Sequence, residues 1–209
     1  MTTPTIISFF TKDTIYEKEV QELIESCKNL HLDYIIEGIE DLGSWQKNCC
    51  QKPLFIQKCL QKTKRPLLWV DADGIILKTP FLPLTDGDVS FYFNHWEERR
   101  ARAGTIFALP SLEAIHFFGL WHRKCQEMQD YPSGDQHFLP EALAEATSLR
   151  VGQLPLSYVH VFDRDQIPIS DTYILHTQAS RTALMLPLFW KSLSGKDLKR
   201  LRIDNACKK

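Results

Sequence analysis

Hydrophobic residues along the chain fall alternately into short runs bounded by turn formers and into stripes of helical spacing. Thr5-Ile6-Ile7-Ser8-Phe9-Phe10 reads as a strand closed by Thr11-Lys12-Asp13. Thr14 or Asp13 then caps a helix over Ile15 to Asn29, with Val20, Leu23, Ile24 and Cys27 as its buried stripe. A second strand, Asp33 to Gly38, leads through Asp41 to Trp45 into a helix from about Asn48 to Thr63. The third strand, Pro66-Leu67-Leu68-Trp69-Val70, is an unbroken apolar run, the pattern of a strand buried on both faces. This β-α-β-α-β order predicts right-handed crossovers and a largely parallel sheet. The carboxyl ends of the three strands then share one edge, which gathers Phe10-Thr11, Gly38 and Asp71 to Asp73.

Beyond Asp73 the rhythm changes. Ile75 to Leu77 is extended, and Pro80 and Pro83 exclude a long helix directly downstream. Asp88 to Phe93 and Gly104 to Leu109 read as strands joined by Asn94 to Arg102, a connection rich in Arg and aromatics. Ser111 caps a helix to about Gln129, and a short helix runs from Gln136 to Thr147. Strands near Ser148 to Val151, Leu156 to Phe162 and Tyr173 to His176 follow. No repeat or low-complexity segment interrupts the pattern.

Composition narrows the class. With 209 residues, 44% of them apolar and 24% charged, one substantial core is expected, as a single domain over residues 1–190 with a basic tail over 191–209. That tail carries seven basic residues against Asp197 and Asp204 and reads as a solvated face. The net charge of -1 gives no sign of nucleic-acid binding. No apolar stretch has the length of a transmembrane span, and MTTPTIISFFTKD has no basic region leading into an apolar one, so the expectation is a cytoplasmic protein. The six cysteines lack paired Cys-x-x-Cys spacing and are expected as free thiols, mostly buried on helices.

Chemistry concentrates where the third strand ends, in Asp71-Ala72-Asp73-Gly74. Ligands of open α/β sheets bind at the carboxyl edge, so two acids one residue apart there are candidates for holding a divalent cation. Asp-x-Asp-Gly is equally an ordinary way to turn a chain.

Taken with Lys52-Pro53 upstream and with Gly104 to Phe107, Gly134-Asp135-Gln136 and Ile174-Leu175-His176 downstream, the order resembles glycosyltransferases of the GT-A fold. It is most similar to compact nucleotide-diphospho-sugar transferases related to the glycogenin-like family, over about residues 5 to 181. The resemblance implies a single Rossmann-like α/β domain that moves a hexose from a UDP- or GDP-sugar donor, with Mn²⁺ or Mg²⁺ as cofactor. It implies Asp71, Asp73 and His176 as metal ligands, Asp71 also lying near the sugar or ribose. One imidazole among oxygen ligands suits Mn²⁺ better than Mg²⁺. Phe10 and Thr11 match the position that holds base and ribose. Lys52 matches a basic residue that reaches the nucleotide or donor sugar, and an exposed lysine is the plain alternative. Asp135 and Gln136 match the acid-amide pair facing sugar and acceptor, against a reading of Ser133 or Asp135 as a helix cap. Arg99, Arg100 and Arg102 read as a solvated cluster, with the diphosphate as their other use.

The chain departs from the family at His176-Thr177-Gln178-Ala179-Ser180-Arg181, where His-x-x-Gly-x-x-Lys is usual. Arg181 or Ser180 is left for the phosphate contact, and neither donor identity nor stereochemistry is inherited through the changed motif. The small chain leaves little for an acceptor lobe, which points to an acceptor that is large or presented by a partner. Two other readings compete. Asp71-Ala72-Asp73-Gly74 also resembles the first motif of haloacid-dehalogenase-type phosphatases, with Ser111, Lys124 and Gly134-Asp135 as later pieces, although Ile75 stands where Thr is usual. The third is a GT-A-like module that binds a sugar nucleotide or a protein partner without transfer.

Overall fold

A computed structural model describes residues 3–81, 87–94, 100–127, 134–180 and 196. Arg181, Arg99, Ser133 and the basic tail apart from Lys196 lie outside these described residues.

The chain opens with β1 (Thr5–Thr11), α1 (Ile15–Asn29), β2 (Tyr34–Ile39), α2 (Trp45–Cys49), α3 (Lys52–Thr63) and β3 (Leu67–Val70). It continues with β4 (Gly74–Ile76), β5 (Val89–Phe93), β6 (Ala101–Ala108), α4 (Leu112–Glu127), α5 (Asp135–Glu145), β7 (Val151–Gln153), β8 (His160–Val161) and β9 (Ile174–His176). Thr14 caps α1 as expected, its hydroxyl accepting from Tyr16 N at 3.2 Å, and Ser111 does the same for Ala114 N at 3.1 Å.

Six strands form the central sheet in the order β2-β1-β3-β6-β5-β7, and only β6 runs against the others. The sheet is thus mostly parallel and flanked by helices, a mixed α/β fold of Rossmann-like kind. Period-two alternation assigns its faces. Ile7, Phe9, Leu67, Trp69 and Phe91 pack under α3, α4 and α5, whereas Ile6, Leu68, Val70 and Phe107 face α1 and a small second sheet, β4-β9-β8. All four residues of β3 are buried, as a strand covered on both sides requires.

Four elements differ from the sequence reading. The expected helix over 48–63 is two helices, because Pro53 lacks an N–H and fits only the first turn of a new one, α3. The strand expected over 156–162 is a 3₁₀ turn (Leu156–Tyr158) followed by the two-residue β8. The one expected near Ser148 to Val151 is β7, a little further on. β6 starts at Ala101, so Arg102 belongs to a strand: its guanidinium makes a two-pronged ion pair with Asp165 (2.6 and 2.8 Å) and stacks over Tyr92. It is not part of a solvated cluster.

Two local features aim the chain at one place. Pairing between β5 and β6 shifts register between Ser90 and Tyr92, and the parity of buried residues along β6 flips from Ala101 and Ala103 to Ile106 and Ala108. Such irregularities bend a strand and re-aim its neighbours. The other is the β3–β4 turn, closed by Gly74 N donating to Asp71 O at 2.8 Å. A Cβ on Gly74 would meet Val70 Cγ1 at 2.4 Å and Asp71 O at 3.1 Å. Gly74→Ala is therefore expected to cost about 1–3 kcal/mol through overpacking, measured as a lower urea midpoint with an unchanged m-value.

Candidate functional site

The β3–β4 turn carries Asp71 and Asp73 from the central sheet to the second one. In β4 the partner of Gly74 is His176 of β9, so strand register brings a residue about a hundred positions distant beside the turn. His176 Nδ1 lies 3.7 Å from Asp73 Oδ1, and Nε2 meets Thr105 Oγ1 at 2.8 Å. When Nε2 donates to the threonine, Nδ1 keeps a lone pair directed to the acids. Asp73 is fixed by the loop after β9: its backbone O accepts from Thr177 Oγ1 at 3.0 Å, and its Oδ2 accepts from Ala179 N at 2.8 Å. Gly104, in the irregular part of β6, leaves the space between them. A Cβ there would come within 3.2 Å of His176 Cε1, 3.4 Å of Nδ1 and 3.6 Å of Asp71 Oδ2.

Asp71, the more exposed of the two acids, is tied into a second network. Its backbone N donates to Gly104 O, and its Oδ1 accepts from Trp69 Nε1 at 2.8 Å and pairs with Lys52 Nζ at 3.0 Å. Trp69 is held by edge-to-face contacts with Phe9 and Phe55, so the indole that orients Asp71 is itself rigid. Lys52 is buried, 5% exposed, rather than on the surface. Beyond Asp71 it binds Asp135 Oδ2 at 2.9 Å and Ala103 O at 3.0 Å, and it lies 5.5 Å from the Trp69 ring. Burial disfavours its charge, but Asp135 and then Asp71 outweigh that, and its pKa is raised. The Asp71 carboxyl is pushed above its ordinary value, foremost by burial; Lys52 opposes this, and Asp73 and Asp135 add to it. Two carboxylates, Asp71 and Asp135, thus share one ammonium, and Asp73 adds its charge beside Asp71.

Asp135 opens α5 without capping it. The N-cap is Gly134, and the Asp135 carboxylate goes to Lys52 while its backbone O accepts from Trp121 Nε1 at 2.9 Å. Gln136 is exposed, its Oε1 accepting from Ala103 N at 3.4 Å.

These residues line a cleft of about 380 Å³. Phe10 and Thr11 at the end of β1, Lys52, Asp71, Asp73, Asp135, Gln136, His176 and Ser180 all face it, so the described residues singled out from the sequence come together. The cleft also takes in Arg102, read from the sequence mainly as part of a solvated cluster, and Tyr16, Trp45 and Arg164, which the sequence reading missed. Two of these had a readable signal: Trp45 follows the turn after β2 at the carboxyl edge, and Tyr16 lies in the first turn of the helix after β1. Of the later pieces cited for a phosphatase, Gly134-Asp135 lines the cleft, whereas Ser111 and Lys124 do not: Ser111 is spent as a helix cap and Lys124 pairs with Glu145 at 2.8 Å.

No protein-family model matches the chain, and no curated protein sequence does. Among solved structures, it is similar to a glycosyltransferase involved in the glycosylation of the major capsid of PBCV-1. The TM-score is 0.70 and the identity 16%, over 96% of this chain and 98% of that one. At such identity the likeness is one of fold, and it extends over nearly the whole of both chains.

Among the described residues, no three His, Cys, Asp or Glu side chains form a ready-made metal cage. The donor chemistry nevertheless fits a divalent cation: the Asp71 carboxylate and the His176 imidazole, its far nitrogen held by a hydroxyl, stand where a Cβ on Gly104 would intrude, and the Asp73 carboxylate lies against the same imidazole. The five described cysteines are free thiols, and no helix among the described residues is long and apolar enough to cross a membrane.

Proposed function

We propose that the protein is a glycosyltransferase of the GT-A type, moving a hexose from a nucleotide-diphosphate donor to an acceptor. The observation that carries this reading is the convergence of Asp71, Asp73 and His176 at the carboxyl edge of the sheet, Asp71 and His176 beside Gly104 and Asp73 against His176. The full-length fold likeness to a glycosyltransferase supports it. Asp71, Asp73 and His176 would hold Mn²⁺ or Mg²⁺. A bound cation there supplies charge neutralisation for the diphosphate leaving group. The protein's own residues do the rest. Phe10 and Thr11 receive the base and ribose at the end of β1, and Ser180 stands on the phosphate side. Lys52 keeps Asp71 and Asp135 in fixed positions, so that Asp135 and Gln136 present a carboxylate and an amide to the donor sugar and the incoming acceptor. Pre-set polar groups of this kind need no reorganisation when charge develops.

The test is a panel of UDP- and GDP-sugars with Mn²⁺, read by thermal shift and by slow donor hydrolysis. Metal-dependent stabilisation and hydrolysis by at least one donor are expected. Absence of metal-dependent binding to every sugar nucleotide overturns the reading, binding without turnover favours a non-catalytic module, and turnover of p-nitrophenyl phosphate with Mg²⁺ favours a phosphatase.

A further inference from the structure

Trp45 is a large apolar residue left 47% exposed. Single exposed hydrophobics such as Leu112 or Ile169 are ordinary on a protein surface. Trp45 differs in where it stands and in how firmly it is held. It lines the cleft, whereas those two do not. The loop that delivers it is pinned by Asn48, a buried amide: Asn48 Nδ2 donates to Asp41 Oδ1 at 2.8 Å, and Leu42 N donates to Asn48 Oδ1 at 2.9 Å. Gly43 takes a positive φ of 83° in that loop, and Ser44 caps α2 by accepting from Lys47 N. The indole also abuts Gly134. A Cβ there would lie 3.3 Å from Trp45 Cζ3 and 3.3 Å from Cys49 Cβ, so the glycine lets the ring settle against the start of α5. The next residue in the chain is Asp135.

We propose that Trp45 is the platform for the acceptor, and that the acceptor is a sugar whose pyranose ring stacks on the indole; this deepens the glycosyl-transfer reading and rests on it. A pyranose has a face of C–H groups and a rim of hydroxyls. The indole offers an apolar surface with a negatively polarised face, and Gln136 in the same cleft offers an amide that both donates and accepts. A ring seated there lies next to the Asp135–Lys52–Asp71 cluster. In the transfer, the bond from the donor's anomeric carbon to the diphosphate oxygen breaks, and its electron pair leaves on the nucleoside diphosphate. A hydroxyl oxygen of the acceptor ring bonds to that carbon, and its proton passes to solvent.

The test uses the full chain with Mn²⁺, the donor found active in the sugar-nucleotide panel, and the α- and β-methyl pyranosides of glucose, galactose and mannose as acceptors. Transfer and donor hydrolysis are followed together. Wild type is expected to glycosylate at least one pyranoside, and Trp45→Ala to lower the ratio of transfer to hydrolysis at least tenfold through the acceptor KM. Trp45→Phe should recover most of the ratio, and the melting temperatures of both variants identify any effect of misfolding. An unchanged ratio overturns the proposal, as does a weakened donor KM with the ratio intact, which would place the indole on the nucleobase. Donor hydrolysis without transfer to any pyranoside overturns it while leaving the glycosyl-transfer reading standing. Inactivity toward every donor removes both.

Discussion

Replacing Lys52 by methionine is expected to lower stability by about 3–5 kcal/mol, a fall in Tm on the order of 10 °C for a chain of this length. The loss comes mainly from the carboxylate left behind. Lys52 and Asp135 are 7% and 6% exposed at their side chains, and without the ammonium Asp135 is a buried charge with no counter-ion. Asp71, whose side chain is 37% exposed, is partly screened by solvent and adds less. In the wild type, a lysine with a raised folded pKa contributes stability that is complete below its unfolded value and lost only as pH rises through the folded one. The pair is therefore intact across the neutral range. In Lys52→Met, Asp71 sets the sign of the pH dependence. Asp71 already has a raised pKa, and losing Lys52 raises it further. A raised carboxyl stabilises below its unfolded pKa and loses that contribution as pH climbs through the folded one, so the deficit should be smallest in acid and largest at neutral pH. Urea unfolding at several pH values measures this. The double variant Lys52→Met/Asp135→Leu should recover much of the stability, because removing both charges removes the uncompensated one. Equal stability of the single variant and wild type would show that Lys52 does not bear the pair's energy.

The same cluster shows what could be read from the chain and what could not. β1, α1 and β3 were legible because their signals are local: an apolar run, a cap, a stripe at helical spacing. The two acids were legible because a buried strand must end somewhere, and Asp71 and Asp73 mark where. Lys52 was legible as a position and not as a buried residue, since its burial depends on Asp71 and Asp135, far away in sequence. Arg102 was misjudged for the same reason: its partner Asp165 lies 63 residues on, and alanines on either side give a weak strand signal. The break between α2 and α3 is a different kind of miss. Pro53 announced it, and the apolar stripe running on through Leu54, Phe55 and Cys59 concealed it. His176 was placed by its strand end, but only the β4–β9 register explains why it reaches Asp73.

That register underlies the second large effect. Asp73→Asn is expected to abolish metal-dependent donor binding while leaving the fold in place. Asp73 has two duties that an asparagine separates. Its backbone O and one side-chain oxygen hold the loop after β9, through Thr177 and Ala179. Asparagine keeps the backbone and retains an oxygen to accept from Ala179 N, so the stability cost is the difference between a charge-assisted and a neutral hydrogen bond, about 1 kcal/mol. The other carboxylate oxygen faces His176 Nδ1 at 3.7 Å, a separation too long for a hydrogen bond, which the proposed cation would bridge. On the proposed reading the substitution there removes a negative charge and a cation ligand together. Losing an outer partner of a metal ligand costs about 10–100-fold in affinity, and losing the ligand itself should exceed that. Thr105→Val, which takes away the hydroxyl on His176 Nε2, supplies the smaller comparison. Titration with Mn²⁺ in the presence of the active sugar nucleotide, followed by thermal shift, should rank wild type above Thr105→Val and Thr105→Val above Asp73→Asn, with Asp73→Asn showing no metal-dependent shift. Wild-type metal dependence in Asp73→Asn would remove the cation from this site and return Asp71-Ala72-Asp73-Gly74 to the role of a turn.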